Sequence, residues 1–355
     1  MNKRRGCCAG ARLAARISVW AVAIALWGAA AGGAATTTTG GNYHLLKKVT
    51  LGGEGMWDYL VCDSHARLLY IARSTHVMVV NADTYAVVGD IPGKGVHGTA
   101  LAPEFGRGFI SDGKANAIII FDLKTLKVLG SVPAGNNPDA IVYDSVSRRA
   151  FAFNGGSGTA TVVDAASGKV AGTITLGGRP EFAVADGHGH IYNNLEDKSE
   201  LVQIDSRKLI VTARWPLAPC ESPSGLAMDR EHRKLFSGCH NQMMAVVTAD
   251  SGKVLATPAI GRGVDANAFD PGTQLIFSSN GDGTLTVIHE DSAGVTPVAS
   301  VPTQRGARTM ALDLKTHRVY LVTAEFGASP APTAEHPHPR PVAIPGTFTL
   351  LVFGP

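Results

Sequence analysis

Short apolar runs recur along the chain from about residue 43, and Gly, Asn, Asp or Ser residues separate them. In one stretch the apolar segments 140–143, 150–153, 159–163 and 170–176 follow one another with turn sequences between them. Runs of this length, rich in Val, Ile, Thr and aromatic residues, are typical of β-strands. No 12-residue segment beyond the first 41 residues carries the apolar stripe of a helix. The pattern therefore predicts an all-β protein built from units of four strands.

Two sets of strand ends repeat with one period. One set closes the third strand of each unit and is spaced by 41 to 43 residues: Asn81, Asp122, Asp164, Asp205, Thr248 and His289. The other closes the first strand and is spaced by 40 to 43 residues: Asp63, Pro103, Asp144, Asp186, Asp229, Asp270 and Asp313. A period of about 41 falls in the ~40–45 residue range of four-stranded propeller blades. The acids after the third strand precede Gly-containing turns, so we interpret them as structural.

The repeats predict a seven-bladed β-propeller over residues 43–355. Six units are whole, and the seventh has strands at 309–312, 318–322 and 347–353. Its fourth strand is missing at the C-terminus, but residues 46–51 match the fourth strands of other units. We predict that this N-terminal strand pairs with 347–353 and closes the ring, which removes exposed sheet edges.

The first 35 residues have the pattern of a secretory signal peptide. A basic start is followed by an apolar run over 17–31 and then by small residues up to Ala35. The run is short for a membrane span, although an uncleaved anchor stays open as an alternative. Residues 36–42 are predicted to be a disordered leader. We therefore expect a periplasmic or secreted protein with no transmembrane segment after cleavage.

The charge balance changes when the leader is set aside. Five of the 32 basic residues and none of the 29 acidic residues lie within residues 1–35, which leaves 27 basic and 29 acidic residues. A nucleic-acid partner would require a basic surface. The composition therefore argues against nucleic-acid binding.

The repeated unit resembles the YncE-like, YVTN-type β-propeller family of exported bacterial proteins. The resemblance covers about residues 43–355 and is carried by the units at 67–92, 149–177 and 234–261 and by the stretches 218–229 and 304–327. It implies the seven-bladed fold. It implies little about function, because one fold hosts many functions.

One position in each repeat is a candidate for ligand binding. The residue five places before the first-strand anchor is predicted to face the mouth of the central channel, and in chain order these channel-mouth positions are Asp58, Gly98, Asp139, Glu181, Ser224, Asp265 and Arg308. Trp57, His97, Arg179 and Arg305 lie beside them. Converging carboxylates raise one another's pKa unless a positive group compensates. The alternative is structural: the acids accept hydrogen bonds from loop amides and pair with the arginines.

Several metal sites are compatible with the sequence. Oxygen-rich positions suit Ca²⁺, and Asn137, Asn154 and Asn280 lie in loops where six-bladed lactonases place metal ligands, an analogy at the level of fold alone. His336 and His338, in a Pro-rich loop over 328–345, are candidate Zn²⁺ ligands together with His240 or His97. A plain exposed loop is the alternative. No hydrolase, zincin or phosphate-loop motif is present.

Three cysteines lie beyond the leader. Cys220 and Cys239 fall in two loops predicted on the same side of one blade, so a disulfide is expected between them in an exported protein. Cys62 lies inside a strand and is interpreted as a small buried apolar residue.

The sequence thus favours an exported binding scaffold that uses the channel mouth for a small ligand, an ion or a partner protein. The alternatives are a metal-assisted, lactonase-like hydrolase and a structural module of the cell envelope. The ligand's identity is left open.

Overall fold

Antiparallel strands make up almost all regular structure in the computed structural model, which describes residues 42–329 and 341–355. The helical elements of this part are two 3₁₀ turns, Pro103–Phe105 and Glu196–Lys198. None of its helices has the length and apolar character to cross a membrane. The predicted leader at 1–35, and all but the last residue of the segment at 36–42, lie outside the described residues.

The strands follow the predicted four-strand order. The first eight are β1 (His44–Thr50), β2 (Leu60–Asp63), β3 (Leu68–Ala72), β4 (Ser74–Asn81), β5 (Val87–Ala102), β6 (Arg107–Asp112), β7 (Ala117–Asp122) and β8 (Val128–Pro133). The next eight are β9 (Pro138–Asp144), β10 (Arg149–Asn154), β11 (Thr159–Asp164), β12 (Val170–Thr175), β13 (Pro180–Ala185), β14 (His190–Leu195), β15 (Glu200–Asp205) and β16 (Ile210–Pro216). The last eleven are β17 (Pro223–Asp229), β18 (Lys234–Cys239), β19 (Met243–Thr248), β20 (Val254–Ala256), β21 (Val264–Asp270), β22 (Leu275–Asn280), β23 (Thr284–Asp291), β24 (Gly294–Pro302), β25 (Met310–Asp313), β26 (Arg318–Thr323) and β27 (Thr349–Gly354).

The strands of the described residues form six hydrogen-bonded sheets. Five have four strands: β9–β12, β13–β16, β17–β20, β21–β24, and β25–β27 with β1. The sixth has seven, because β5 pairs with β4 through residues 87–92 and with β6 from Val96 to Ala102. Seven separate sheets were expected here. The difference arises at Lys94 and Gly95, whose amides donate to the Asp112 carboxylate at 2.8 and 2.7 Å and hold the connection extended.

The N-terminal strand completes the last sheet, as the repeats predicted. β1 lies antiparallel to β27, with Thr50 opposite Thr349 and His44 opposite Gly354. β27 is buried along its whole length, so β1 covers what would otherwise be an open apolar edge.

The apolar core lies between successive sheets. Leu69 and Val80 of one sheet pack with Tyr320 and Leu350 of the last, for example. Each unit's first strand contacts the first strand of the next unit, and β25 contacts β2. An ion pair of 2.6 Å between Arg67 and Asp313 joins the same two sheets.

The repeated turn acids have the structural role that was predicted. Asp122 accepts hydrogen bonds from the amides of Lys124 and Thr125 at 3.1 and 2.7 Å. Asp164 and Asp205 accept equivalent bonds two or three residues further along the chain. Such bonds stabilise the charged carboxylate and lower its pKa.

Cys220 and Cys239 are joined by a disulfide, with their Cα atoms 5.5 Å apart. The bond ties the segment before β17 to the end of β18. Cys62 of β2 is free and partly buried, and burial raises the pKa of its thiol to about 12.

Candidate functional site

Six of the seven channel-mouth positions lie within two residues of the start of a first strand, and Gly98 lies within β5. The second residue of β9 is Asp139, that of β13 is Glu181 and that of β21 is Asp265. Asp58 precedes β2 by two residues. Because these first strands contact one another in sequence, equivalent positions of neighbouring units lie side by side.

Asp58, His97 and Asp139 form the tightest group. Nδ1 of His97 lies 2.6 Å from Oδ2 of Asp58 and 3.5 Å from Oδ1 of Asp139. One potential ligand atom from each of the three residues lies within 4.8 Å of the other two. Oδ1 of Asp139 is buried and accepts no hydrogen bond from the described residues. The arrangement leaves a carboxylate oxygen available to a cation.

The position of the His97 side chain requires a glycine at residue 113. A Cβ on Gly113 would lie 2.7 Å from Nε2 of His97 and 2.6 Å from the side-chain oxygen of Asn137. Any other residue at 113 would displace both side chains. Asn137 thus lies beside the group, whereas the amides of Asn154 and Asn280 donate to threonine hydroxyls of their own hairpins.

Burial and like charges perturb the acids. Burial, followed by the charge of Asp58, raises the pKa of Asp139 to about 7. Burial, followed by the charges of Asp139, Glu196 and Asp265, raises the pKa of Glu181 to about 8. At neutral pH both carboxyls therefore hold a substantial fraction of a proton, which a bound cation would displace.

The pKa of His97 is raised, whereas burial alone lowers the pKa of a histidine. Burial lowers it, but the hydrogen bond with Asp58 and the charge of Asp139 outweigh that effect and raise it. The raised pKa favours the protonated imidazole, which acts as a positive partner of the two carboxylates, whereas the neutral form would be a metal ligand.

Two of the other acids have arginine partners. Nη2 of Arg179 lies 3.2 Å from Oε1 of Glu181 and 2.8 Å from Oε2 of Glu196. Nε of Arg308 lies 3.5 Å from Oδ2 of Asp265. These pairs match the structural alternative for Glu181 and Asp265.

His240 is not part of the Asp58–His97–Asp139 group. His240 lies beside Glu196, with Nδ1 3.8 Å from Oε1. His336 and His338 lie outside the described residues.

Two aromatic side chains that sequence reasoning missed lie against the acids. The Tyr59 hydroxyl donates to Oε2 of Glu181 at 3.4 Å, and the Tyr59 and Phe182 ring centroids are 4.8 Å apart. Burial raises the pKa of Tyr59, and the charges of Asp139, Glu181, Asp58 and Asp265 raise it further. The signal was available: Tyr59 and Phe182 each follow a channel-mouth position, and the other five residues at that offset are Thr, Ala or Gly.

Comparison with known proteins bears on the fold. No family model matches the chain. No curated protein matches it either. Among solved structures, the chain is similar to hydrazine synthase of Kuenenia stuttgartiensis, with a TM-score of 0.65 and 13% identity over 77% of this chain and 95% of that one.

Two WD40-type structures are also similar. U3-55K has a TM-score of 0.70 and 10% identity over 87% of this chain and 98% of that one. The RRP9 WD40 repeats have a TM-score of 0.71 and 10% identity over 88% of this chain and 97% of that one. At these identities the likeness shows the fold alone: the chain is an all-β protein of the β-propeller type.

Proposed function

We propose that this protein is an exported, seven-bladed β-propeller that binds a divalent cation, and through it a small ligand, at the mouth of the central channel. The count of seven is supported by β5, which serves as the fourth strand of one unit and the first strand of the next. The pairing of β1 with β27 and the contact of β25 with β2 support a closed ring.

One observation carries the cation-binding proposal. Two carboxylates and an imidazole from three units converge within 4.8 Å, and a buried oxygen of Asp139 has no hydrogen bond. A buried carboxylate oxygen without a hydrogen bond is unfavourable, and a cation would relieve both its desolvation and the repulsion from Asp58. Mixed oxygen and nitrogen donors suit Zn²⁺, whereas the carboxylates alone suit Ca²⁺.

Export and a scaffold role remain part of the same proposal. The signal-like leader and the disulfide support an oxidising compartment. The similar structure titled as WD40 repeats supports a binding scaffold, so a partner protein at this face is the other occupant to test. The YncE-like family resemblance stays a prediction.

Calorimetric titration of the chelator-treated protein with Zn²⁺ and with Ca²⁺ tests the proposal. We expect about one cation per chain, and Asp139→Asn should weaken binding at least roughly tenfold because it removes a charged ligand. Asp250→Asn, which alters an exposed acid in a turn, is the matched control and should bind normally. Absence of binding, or equal binding by Asp139→Asn, would overturn the proposal.

A second candidate function is metal-assisted hydrolysis. The observation that favours it is Glu181, a carboxyl outside the Asp58–His97–Asp139 group whose pKa of about 8 suits proton transfer near neutrality. Hydrolysis of simple lactones by the cation-loaded protein separates the two functions. Glu181→Gln should abolish turnover but retain the cation if the protein is an enzyme, whereas no turnover in the wild-type protein supports binding alone.

A further inference from the structure

A cavity of about 260 Å³ lies at the channel-mouth position Arg308. The side chains of Arg305 and Arg308 line it, together with the aromatic side chains of Trp57 and Phe326. Its volume is just below the ~300–1,000 Å³ range of ligand pockets. The cavity therefore combines two positive charges with an aromatic wall, and it has room for a small organic molecule.

Both arginines offer hydrogen-bond donors that a ligand can reach. Arg305 is exposed, and its side chain forms no ion pair with a carboxylate of the described part of the chain. Arg308 has 41% of its side chain exposed, and its closest approach to Asp265 is through Nε, at 3.5 Å from Oδ2. A guanidinium carries five N–H donors, so the terminal nitrogens of both side chains are available for an anion in the cavity.

The segment that carries the two arginines is held in place through its backbone. The Thr323 hydroxyl donates to the carbonyl oxygen of Arg305 at 2.8 Å, and the Ser279 hydroxyl donates to that of Arg308. Both donors lie in neighbouring strands, Ser279 in β22 and Thr323 in β26. A fixed backbone at both arginines reduces the ordering that a bound ligand must impose.

A glycine between the two arginines leaves the aromatic wall free. Gly306 has a φ of +82°, a conformation that favours glycine. A Cβ at this position would lie 2.9 Å from the Phe326 ring and would have to displace it. The ring of Phe326 also packs near that of Trp57, with centroids 6.0 Å apart. The two aromatic side chains thus form one continuous apolar surface beside the guanidinium groups.

We propose that this cavity binds a small aromatic carboxylate. The carboxylate accepts charge-assisted hydrogen bonds from Arg305 and Arg308, and the aromatic ring lies against Trp57 and Phe326. A single negative charge matches the site, because Asp265 already offsets part of the charge of Arg308. The site uses none of the residues of the Asp58–His97–Asp139 group, so it goes beyond cation binding and does not depend on it.

Calorimetric titration of the chelator-treated protein tests the proposal with three probes: benzoate, its neutral analogue benzamide, and acetate, which lacks the ring. We expect benzoate to bind at least about tenfold more tightly than benzamide, because only the charged group pairs with the arginines. It should also bind at least about tenfold more tightly than acetate, because the ring buries apolar surface. Benzoate that binds no better than either analogue would overturn the proposal.

The absence of divalent cations from this titration separates its result from that of the cation titration. Benzoate that binds only after Zn²⁺ or Ca²⁺ is added would be a ligand of the cation, which would support the channel-mouth cation site and overturn the arginine site. Benzoate that binds the cation-free protein supports the arginine site whether or not a cation binds elsewhere.

Variants locate the binding within the cavity. Arg305→Gln removes an exposed guanidinium and should weaken benzoate binding at least about tenfold while leaving the fold intact. The matched control is Arg262→Gln, which removes an exposed arginine in the loop before β21 that does not line the cavity, and it should bind benzoate normally. Phe326→Ala should reduce the preference for benzoate over acetate. Equal weakening by Arg305→Gln and Arg262→Gln would mean that a general positive field attracts the anion, and the cavity would not be its site.

Discussion

Nδ1 of His97 lies 2.6 Å from Oδ2 of Asp58, although the two residues belong to consecutive repeat units. His97 lies in β5 and Asp58 precedes β2, so the contact forms only when the two first strands pack side by side. The contact therefore depends on the packing of the two units, and it changes the charges at the channel mouth.

The first prediction concerns the titration of His97. Because the hydrogen bond with Asp58 raises its pKa against the effect of burial, Asp58→Asn should lower the pKa of His97. NMR titration of the imidazole protons measures the change. His232, whose pKa is raised by Asp229 in another unit, is the internal control and should not move. An unchanged His97 would show that Asp58 is not its stabilising partner in solution.

The contact between His97 and Asp58 also determines whether the free energy of unfolding rises or falls with pH. A histidine whose folded pKa is raised contributes stability that is fully present below its unfolded pKa and is lost as pH rises through the folded value. The contribution of His97 to the free energy of unfolding should thus fall as pH rises past neutrality, and Asp58→Asn should remove that component of the fall.

A second prediction concerns the disulfide. Cys220 and Cys239 are 19 residues apart, and in the loop-entropy account their bond stabilises the fold by roughly 3 kcal/mol. The double variant Cys220→Ser, Cys239→Ser should lose about that much in urea denaturation, and reduction of the wild-type protein should produce the same loss. Cys62→Ala is the control, since Cys62 makes no disulfide. A loss no larger than that of the control would mean that the bond contributes little.

A third prediction tests the N-terminal strand. Val49 is the best-buried residue of β1 and packs against the cluster that contains Leu350 and Val352. Val49→Asp places a charge in that contact and should destabilise the fold by about 2–4 kcal/mol. Thr50→Asp, its exposed neighbour, should change stability by less than about 0.5 kcal/mol. Equal effects of the two substitutions would contradict a stabilising role for β1.

The repeat period was sufficient to predict the strand order, the pairing of β1 with β27 and the shared location of Asp58 and Asp139. All three follow from side chains that recur at fixed offsets, and such offsets are visible in a linear sequence. The merging of two units through β5 was not predictable, because it depends on the Asp112 carboxylate accepting two backbone amides.

The contacts of Arg73, a buried side chain that follows β3, were not predictable for a related reason. Its acceptors are backbone carbonyls, which every residue carries, and Phe348 reaches it only because β27 lies next to the first repeat unit. Neither contact can be recognised from the types of the residues involved. The Tyr59 and Phe182 pair differs, since both aromatics occupy an offset where small residues otherwise recur.

The last prediction joins the acids of the channel mouth to stability and to cation binding. Asp139 and Glu181 have pKa values raised to about 7 and about 8, so the folded protein holds protons that the unfolded chain has already released. Stability must then fall as pH rises between their ordinary pKa values and these raised ones, by an amount on the order of a few kcal/mol. Thermal denaturation of the cation-free protein between about pH 5 and about pH 8 should show the fall, and Asp139→Asn, whose side chain cannot ionise, should make it less steep while Asp250→Asn does not. A divalent cation prefers the deprotonated carboxylates, so saturating Zn²⁺ or Ca²⁺ should restore stability at the higher pH and release protons into the buffer as it binds. A pH dependence equally steep in Asp139→Asn and wild type would mean that the carboxyl of Asp139 ionises normally, and the electrostatic case for a cation at this site would fail with it.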